Sequence, residues 1–255
     1  MDLGLNGARA LVGGASRGLG AGIATALAGE GAAVAVTARP SSRLDELAAR
    51  IGARAVPADL STEQGPADAV ARAAGELGGL DLLVVNTGGP PVGTFAQLGA
   101  AQWRAAIDGT LLSTLRLLEA ALPHLRDGRA PSILVILSSS VREPLPGLVT
   151  SNVLRPGLVG LIKSLPPEIA PVRINGIAPG RIMTDRVAEN DAARAQSAGT
   201  SVEEVRRQAI ARIPAGRYGD PEDVGRVAAF LLSPSASYVN AQVVAVDGGM
   251  VRSLP

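Results

Sequence analysis

The sequence predicts an α/β fold: a single domain over 1–255, built as a doubly wound parallel sheet of about seven strands with helices on both faces. Two observations predict it. Short runs of Val, Leu and Ile alternate with Ala-rich stretches of helical spacing, the signature of repeated βα units. These runs are apolar throughout instead of alternating with polar residues, as strands covered on both faces require. The first strand is expected at 9–12, where Arg-Ala-Leu-Val runs into glycines, and the Ala-rich stretch 19–29 makes the first helix. Strand 33–37 leads to helix 42–51, and strand 54–57 leads to helix 62–77. Strand 82–85, Leu-Leu-Val-Val, precedes a long helix at 100–122. Strand 133–137 precedes a helix at 151–165, which Pro166 and Pro167 should end. Strand 173–177, helix 221–232 and strand 243–246 complete the series. Only 183–214 breaks the rhythm: a polar insertion rich in Ala, Arg and Glu, read as one or two helices. It is either a lid over a ligand or an exposed excursion with no gating role.

Composition narrows the function classes. Lys plus Arg total 24 against Asp plus Glu 23, with no basic run, so neither nucleic acid nor a membrane surface is an expected partner. The chain has no Cys and one His, His124, which argues against disulfides, thiolate metal sites and a His-based zinc site or triad. No metal is expected. The first residues lack a basic and then apolar leader, and no apolar run of spanning length is free of Gly, Pro or charge, so a cytoplasmic location is expected. Lys163 is the only lysine, which makes Arg in place of Lys weak testimony to function anywhere in this chain.

The first strand runs into Gly13-Gly14-Ala15-Ser16-Arg17-Gly18-Leu19-Gly20, and a helix follows. A glycine turn opening onto a helix N-terminus makes an anion site, because backbone N–H groups and the positive helix end can approach a pyrophosphate. Gly14, Gly18 and Gly20 read G-x-x-x-G-x-G, which differs from the commoner G-x-G-x-x-G dinucleotide fingerprint. Asp59-Leu60 follows the third strand, Asn86-Thr87-Gly88-Gly89 the fourth and Ser138-Ser139-Ser140 the fifth. Asn175 to Thr184 spans the sixth and reads N-G-I-A-P-G-R-I-M-T. All of these lie at carboxyl ends of strands, where open α/β sheets bind ligands. With Arg217-Tyr218-Gly219-Asp220 and Val246-Asp247-Gly248-Gly249, this set resembles the short-chain dehydrogenase/reductase family over essentially the whole chain, and within it the 3-oxoacyl-acyl carrier protein reductases.

The resemblance implies a Rossmann sheet and a nicotinamide cofactor. By it, Gly14, Ser16, Gly18 and Leu19 cradle the pyrophosphate, Asp59 and Leu60 hold the adenine, and Asn86 and Gly88 sit against the adenosine ribose. Pro179, Gly180 and Ile182 shape the nicotinamide pocket, and Thr184 bonds the carboxamide or a phosphate. The second strand ends Thr37-Ala38-Arg39, without the carboxylate that would hold a free ribose 2′-hydroxyl. Arg39 and Arg17 instead suit a 2′-phosphate, so NADP(H) is preferred and NAD(H) is possible.

The family's proton donor is a Tyr supported by a Lys four residues on, with a Ser and a helix Asn. Here those positions fall on Ser151 and Arg155, with Thr110 at the Asn position and Ser139 as the retained Ser, Ser140 being the near alternative. No other residue replaces the acid. Tyr218 and Tyr238 have no basic residue four positions on, and Lys163 lies about 12 Å along and roughly 80° around the helix from Arg155. A serine hydroxyl is too weak an acid and guanidinium keeps its proton, so neither Ser151 nor Arg155 donates one alone. Arg155 is left to bind ribose hydroxyls, a carboxylate or a developing oxyanion while Ser151 and Ser139 orient a water, or to make a structural salt bridge in a degenerate site. Pro156 sits inside this helix and is expected to disturb the direction of Arg155. Two functions follow: an NADP(H)-dependent oxidoreductase acting on a carbonyl or enoyl substrate, small molecule or thioester, or a non-catalytic nicotinamide-dinucleotide-binding protein. Resemblance also implies a homo-oligomer, tetramer or dimer.

Overall fold

A computed structural model describes residues 2–253. Among them seven strands, β1 (Arg9–Gly13), β2 (Ala33–Thr37), β3 (Arg54–Ala55), β4 (Leu82–Val85), β5 (Ser132–Ile136), β6 (Arg173–Pro179) and β7 (Val243–Val246), form one sheet. It is parallel throughout, in the order β3-β2-β1-β4-β5-β6-β7. The helices are α1 (Gly18–Gly29), α2 (Ser42–Ile51), α3 (Gly65–Leu77), α4 (Ala100–Ala106), α5 (Ser113–Arg126), α6 (Val149–Ser164), α7 (Pro166–Ile169), α8 (Asp185–Ala198), α9 (Val202–Ile210) and α10 (Pro221–Leu232). The chain runs outward from β1 through β2 to β3, then crosses back to β4. That reversal opens a crevice at the carboxyl ends of β1 and β4, the place where such sheets take ligands.

Each face of the sheet has its own core. Ile23, Leu27, Leu44 and Val224 of α1, α2 and α10 pack on Val12, Val34 and Val36, while Val70, Leu117 and Leu158 of α3, α5 and α6 pack on Leu83, Val135 and Ile174. The strands read as unbroken apolar runs because both of their faces are dry. α1 and α10 cross closely: a Cβ on Gly22 would lie 2.7 Å from Pro221, and one on Gly225 would lie 2.7 Å from the Gly22 carbonyl. The tight crossing presses α1 down, with its N-terminus over the crevice.

Several boundaries differ from the sequence reading. The helix expected from 62 starts at Gly65, because the Thr62 hydroxyl bonds the Asp59 carbonyl and closes a turn first. The long helix at 100–122 continues to Arg126 and contains a π-helical turn, Ile107–Leu112, with Thr110 inside it. The helix expected at 151–165 begins two residues earlier at Val149 and stops before Pro166, where the short α7 takes over. Pro156 does not break it: α6 runs through the proline and Arg155 stays on its inner face. The third strand shrinks to two residues at the sheet's edge, where only one neighbour orders it.

Two arginines, one buried and one half-buried, brace the frame. Arg173 donates to the carbonyls of Leu231, Leu232 and Ser233 at the end of α10 and to that of Val239, so its charge meets the negative helix end. Arg9 binds Asp81 at 2.7 Å through Nη2 and at 2.9 Å through Nε. The Asp81 carboxylate also accepts the backbone N–H of Arg9 and of Arg129. Burial pushes the Asp81 carboxyl up, but these hydrogen bonds outweigh it and hold the group below the ordinary carboxylate range. A carboxylate lowered by folding adds stability that is complete above the unfolded value of about 3.9 and is lost as pH falls through the lower folded value. Denaturant unfolding should therefore weaken below about pH 4, and Asp81→Asn, costing on the order of 2 kcal/mol at neutral pH, should flatten that acid limb. An acid limb of the same steepness in the variant would assign it to other carboxylates.

Candidate active site

The glycine turn lies at the carboxyl end of β1. Gly14 and Gly18 take φ of +56° and +59°, a region that L side chains rarely occupy. A Cβ on Gly14 would lie 2.4 Å from the Asn86 carbonyl oxygen, and one on Gly20 equally close to the Gly14 carbonyl oxygen. The glycine spacing is thus set by how turn, helix and the β4 end pack against each other. Asn86 locks the arrangement, its Nδ2 donating to the carbonyls of Gly13 and Gly14 at 3.2 Å each. α1 then begins with no side-chain cap and no acidic residue in its first turn. Its first amides point into the crevice without an acceptor, and their positive end fits a pyrophosphate. Ser16 sits in the turn, and Leu19 packs on the core below.

The flanking positions close round the same crevice. Leu60 is buried in the wall made by α3, and Asp59 accepts the amide and hydroxyl of Ser61. Those two bonds, and next the charge of Arg39, hold the Asp59 carboxyl below its ordinary range. Gly88 is exposed, with open space where a side chain would stand. Pro179 ends β6, Gly180 bonds Val246, and Ile182 is buried and bridged to Gly219. Thr184 caps α8, its hydroxyl accepting from the Val187 amide, and its methyl group faces Gly18 across the crevice. Arg39 is exposed at the end of β2, whereas Arg17 is held by Asp185 of α8 at 3.0 Å. Arg43, unmarked in the sequence, joins the same carboxylate at 2.8 Å. The Asp185 carboxyl lies low because of Arg17 first and Arg43 second.

At the reaction end, Ser140 Oγ and Ser151 Oγ are 3.0 Å apart and buried. Of Ser139, the expected retained Ser, and its near alternative Ser140, the hydroxyl that meets residue 151 is that of Ser140, with Ser139 buried beside it. The turn Ser139–Val141 is a single 3₁₀ turn, which rotates neighbouring side chains by about 120°, so only one of two adjacent serines can face α6. Thr110 is buried beside α6 in the π turn, and its hydroxyl has no partner. Arg155, 9% exposed, donates from Nη1 to the Ile136 carbonyl at 2.7 Å, while its buried Nε has no acceptor. Burial, and secondly the charge of Arg186, push its pKa down to about 10. These orphaned polar atoms beside the glycine cradle fit a bound dinucleotide, whose ribose hydroxyls are suited to partner them. His124 lies in the last turn of α5, which leads to the start of β5, at the amino ends of the strands and away from the crevice. Tyr218 is engaged elsewhere: its hydroxyl donates to Asp191 Oδ2 at 3.1 Å and accepts from Arg181 at 3.0 Å. Arg181 also grips Asp191 Oδ1 at 2.6 Å, which ties α8 to the loop after β6.

Strand order, glycine cradle and the polar cluster at the strand ends together define a dinucleotide-binding α/β protein of the oxidoreductase class. Residues 14–251 match the family model described as Enoyl-(Acyl carrier protein) reductase. The chain belongs to the short-chain dehydrogenase/reductase family of oxidoreductases. It is 32% identical to the 3-oxoacyl-[acyl-carrier-protein] reductase FabG of Aquifex aeolicus, over 98% of this chain and 100% of that one. It is 34% identical to the protein of the same name from Vibrio cholerae, over 96% and 98%. L-sorbose reductase from Gluconobacter frateurii, solved with NADPH and L-sorbose, superposes with a TM-score of 0.92 at 28% identity, covering 100% of both chains.

Proposed function

We propose that this protein is one domain over 1–255 that binds NADP(H), in preference to NAD(H), and reduces a carbonyl or enoyl substrate, small molecule or thioester, without a tyrosine acid. The observation that carries the reading is the buried Ser140, Ser151 and Arg155 cluster beside the uncapped end of α1. When bound, the cofactor supplies a hydride. The chain's own residues do the rest. Gly14, Ser16, Gly18 and Leu19 seat the pyrophosphate. Arg17 and Arg39, with Arg43, receive the 2′-phosphate; the similar L-sorbose reductase is an NADPH complex, which supports that preference. Asp59 and Leu60 flank the adenine, Asn86 and Gly88 the ribose, and Pro179, Gly180, Ile182 and Thr184 the nicotinamide. Ser151 and Ser140, hydrogen-bonded to each other, together present a hydroxyl to a water or the substrate oxygen, Arg155 keeps a cation beside the oxygen that gains charge, and Thr110 lines the pocket floor. The helices in 183–214 are read as a lid, latched at Asp191. Apolar Leu115, Val153 and Phe230 stand exposed on α5, α6 and α10, surfaces that a homo-oligomer would cover.

A second reading, a non-catalytic dinucleotide-binding protein, is favoured by one observation: the position of the acid holds a serine bonded only to another serine. Calorimetry with NADPH and NADH, followed by NADPH absorbance with a panel of keto- and enoyl-thioesters, separates the two. Binding with turnover is the expected result, with NADPH at least about tenfold tighter than NADH, one charge-assisted contact's worth. Binding without any oxidation above buffer would leave the second reading standing.

A further inference from the structure

Of the charges buried in the described residues, Arg155 is the one left without compensation. Asp81 has Arg9, Asp191 has Arg181, and Arg173 lies against four carbonyls. Arg155 has one carbonyl, that of Ile136, and no carboxylate within 4.0 Å. With Nη1 taken, the edge formed by Nε and Nη2 carries no protein acceptor, and that edge is one on which a guanidinium takes a carboxylate through two parallel bonds. A ribose hydroxyl can take one of these N–H groups, but only an anion balances the buried charge as well.

Arg186 stands opposite, at the exposed rim. It is the second residue of α8, and it reaches back over the loop after β4 to donate to the Gly89 carbonyl at 3.1 Å. Like Arg155 it makes no ion pair, whereas its neighbours Arg17 and Arg43 share Asp185. The charge of Arg186 reaches Arg155 and, after burial, lowers its pKa, while Arg186 itself is lowered by burial and feels the charges of Glu189 and Arg17 at the rim. Ile136 ends β5 and Gly89 follows β4, the adjacent strand, so the pair flanks one stretch of the cleft. The loop after β4 is in turn pinned to the start of α6 by the Thr150 hydroxyl on the Pro91 carbonyl at 2.8 Å. Ser151 lies four residues before Arg155 on the same helix face, so an anion held here sits next to the serine pair. Arg142, at the end of the turn after β5, does not join them: its side chain is exposed and lines a separate hollow of about 250 Å³ with Lys163 and Gln242.

We infer that the substrate carries a carboxylate close to its reducible group, held between Arg155 in the floor of the cleft and Arg186 at its rim. The inference rests on the reductase reading above and narrows it to oxo acids. The test compares phenylglyoxylate and acetoacetate with their methyl esters, by calorimetry, on free and NADPH-saturated protein. In the wild type at least one acid should bind ten times more tightly than its ester. Arg186→Met should bring that ratio near one, and Arg186→Lys, which keeps the charge, should restore part of it. Folding is checked by the NADPH isotherm of each variant. If neither acid exceeds its ester, or the preference survives Arg186→Met, the carboxylate pair is overturned. It is equally overturned if Arg186→Met weakens NADPH alone, for Arg186 would then serve the cofactor's phosphates. Failure of NADPH to bind at all would remove the reductase reading, while the acid-to-ester ratio on free protein still decides the anion site.

Discussion

Placing Ser151→Tyr and Arg155→Lys in one chain is expected to raise NADPH-dependent ketone reduction by about a hundredfold or more, since a positioned general acid contributes roughly 10²–10⁴. The frame for it is present. α6 runs unbroken through Pro156, residue 151 faces Ser140, and residue 155 points inward over the end of β5. A phenol at 151 would meet the Ser140 hydroxyl, and an ammonium at 155 would lower the phenol's pKa from about 10 by proximity. Ser151→Tyr alone should do less, because a guanidinium fixed on the Ile136 carbonyl is poorly placed to support it. Initial rates with a simple cyclic ketone at saturating NADPH read the effect. A double variant that binds NADPH with wild-type affinity yet stays inert would show that the pocket above residue 151 does not admit a ketone in reacting geometry.

Asp191→Leu should destabilise the protein by about 3–5 kcal/mol, the range for removing one partner of a buried ion pair. Asp191 is 0% exposed and takes Arg181 and Tyr218 directly, with Arg206 at 3.8 Å. The leucine would fill the volume, but it would leave the Arg181 guanidinium and the Tyr218 hydroxyl facing an apolar side chain. Burial already raises the Tyr218 pKa, and losing its acceptor would remove the bond that orients its hydroxyl. Since Asp191 joins α8 to the loop carrying Arg181 and Ile182, the damage should reach the crevice at the end of β6 and, on the function proposed above, weaken NADPH binding as well. Thermal unfolding and an NADPH titration measure the two effects. A drop in stability below about 1 kcal/mol would mean that the chain relaxes around the site.

Much of the fold was legible because its causes are local in the chain. Leu82-Leu83-Val84-Val85 reads as a strand buried on both faces without reference to its neighbours, and in the structure it lies between β1 and β5. Gly14, Gly18 and Gly20 announce a turn at a helix start, and that turn formed. What escaped was contact between residues far apart in number. Nothing near Asp185 says that it will meet Arg17 and Arg43, and nothing near Asp191 marks it as the buried partner of Arg181 and Tyr218. A polar insertion of Ala, Arg and Glu reads the same whether its acids are solvated or buried. Which of Ser139 and Ser140 meets residue 151 was out of reach for a smaller reason: one residue of phase in a 3₁₀ turn decides which hydroxyl faces α6.

The sequence by itself determined the βα repeat, the glycine turn and the absence of Tyr and Lys at positions 151 and 155, because propensity, hydrophobic period and residue identity act over a few neighbours. Only the tertiary structure decided that Arg155 is buried without an acid and that Arg186 bonds the loop after β4, the strand next to the one whose end holds Arg155. Desolvation and pairing depend on which strands and helices converge in space, and those are set by the order β1 beside β4 and β4 beside β5, not by spacing along the chain.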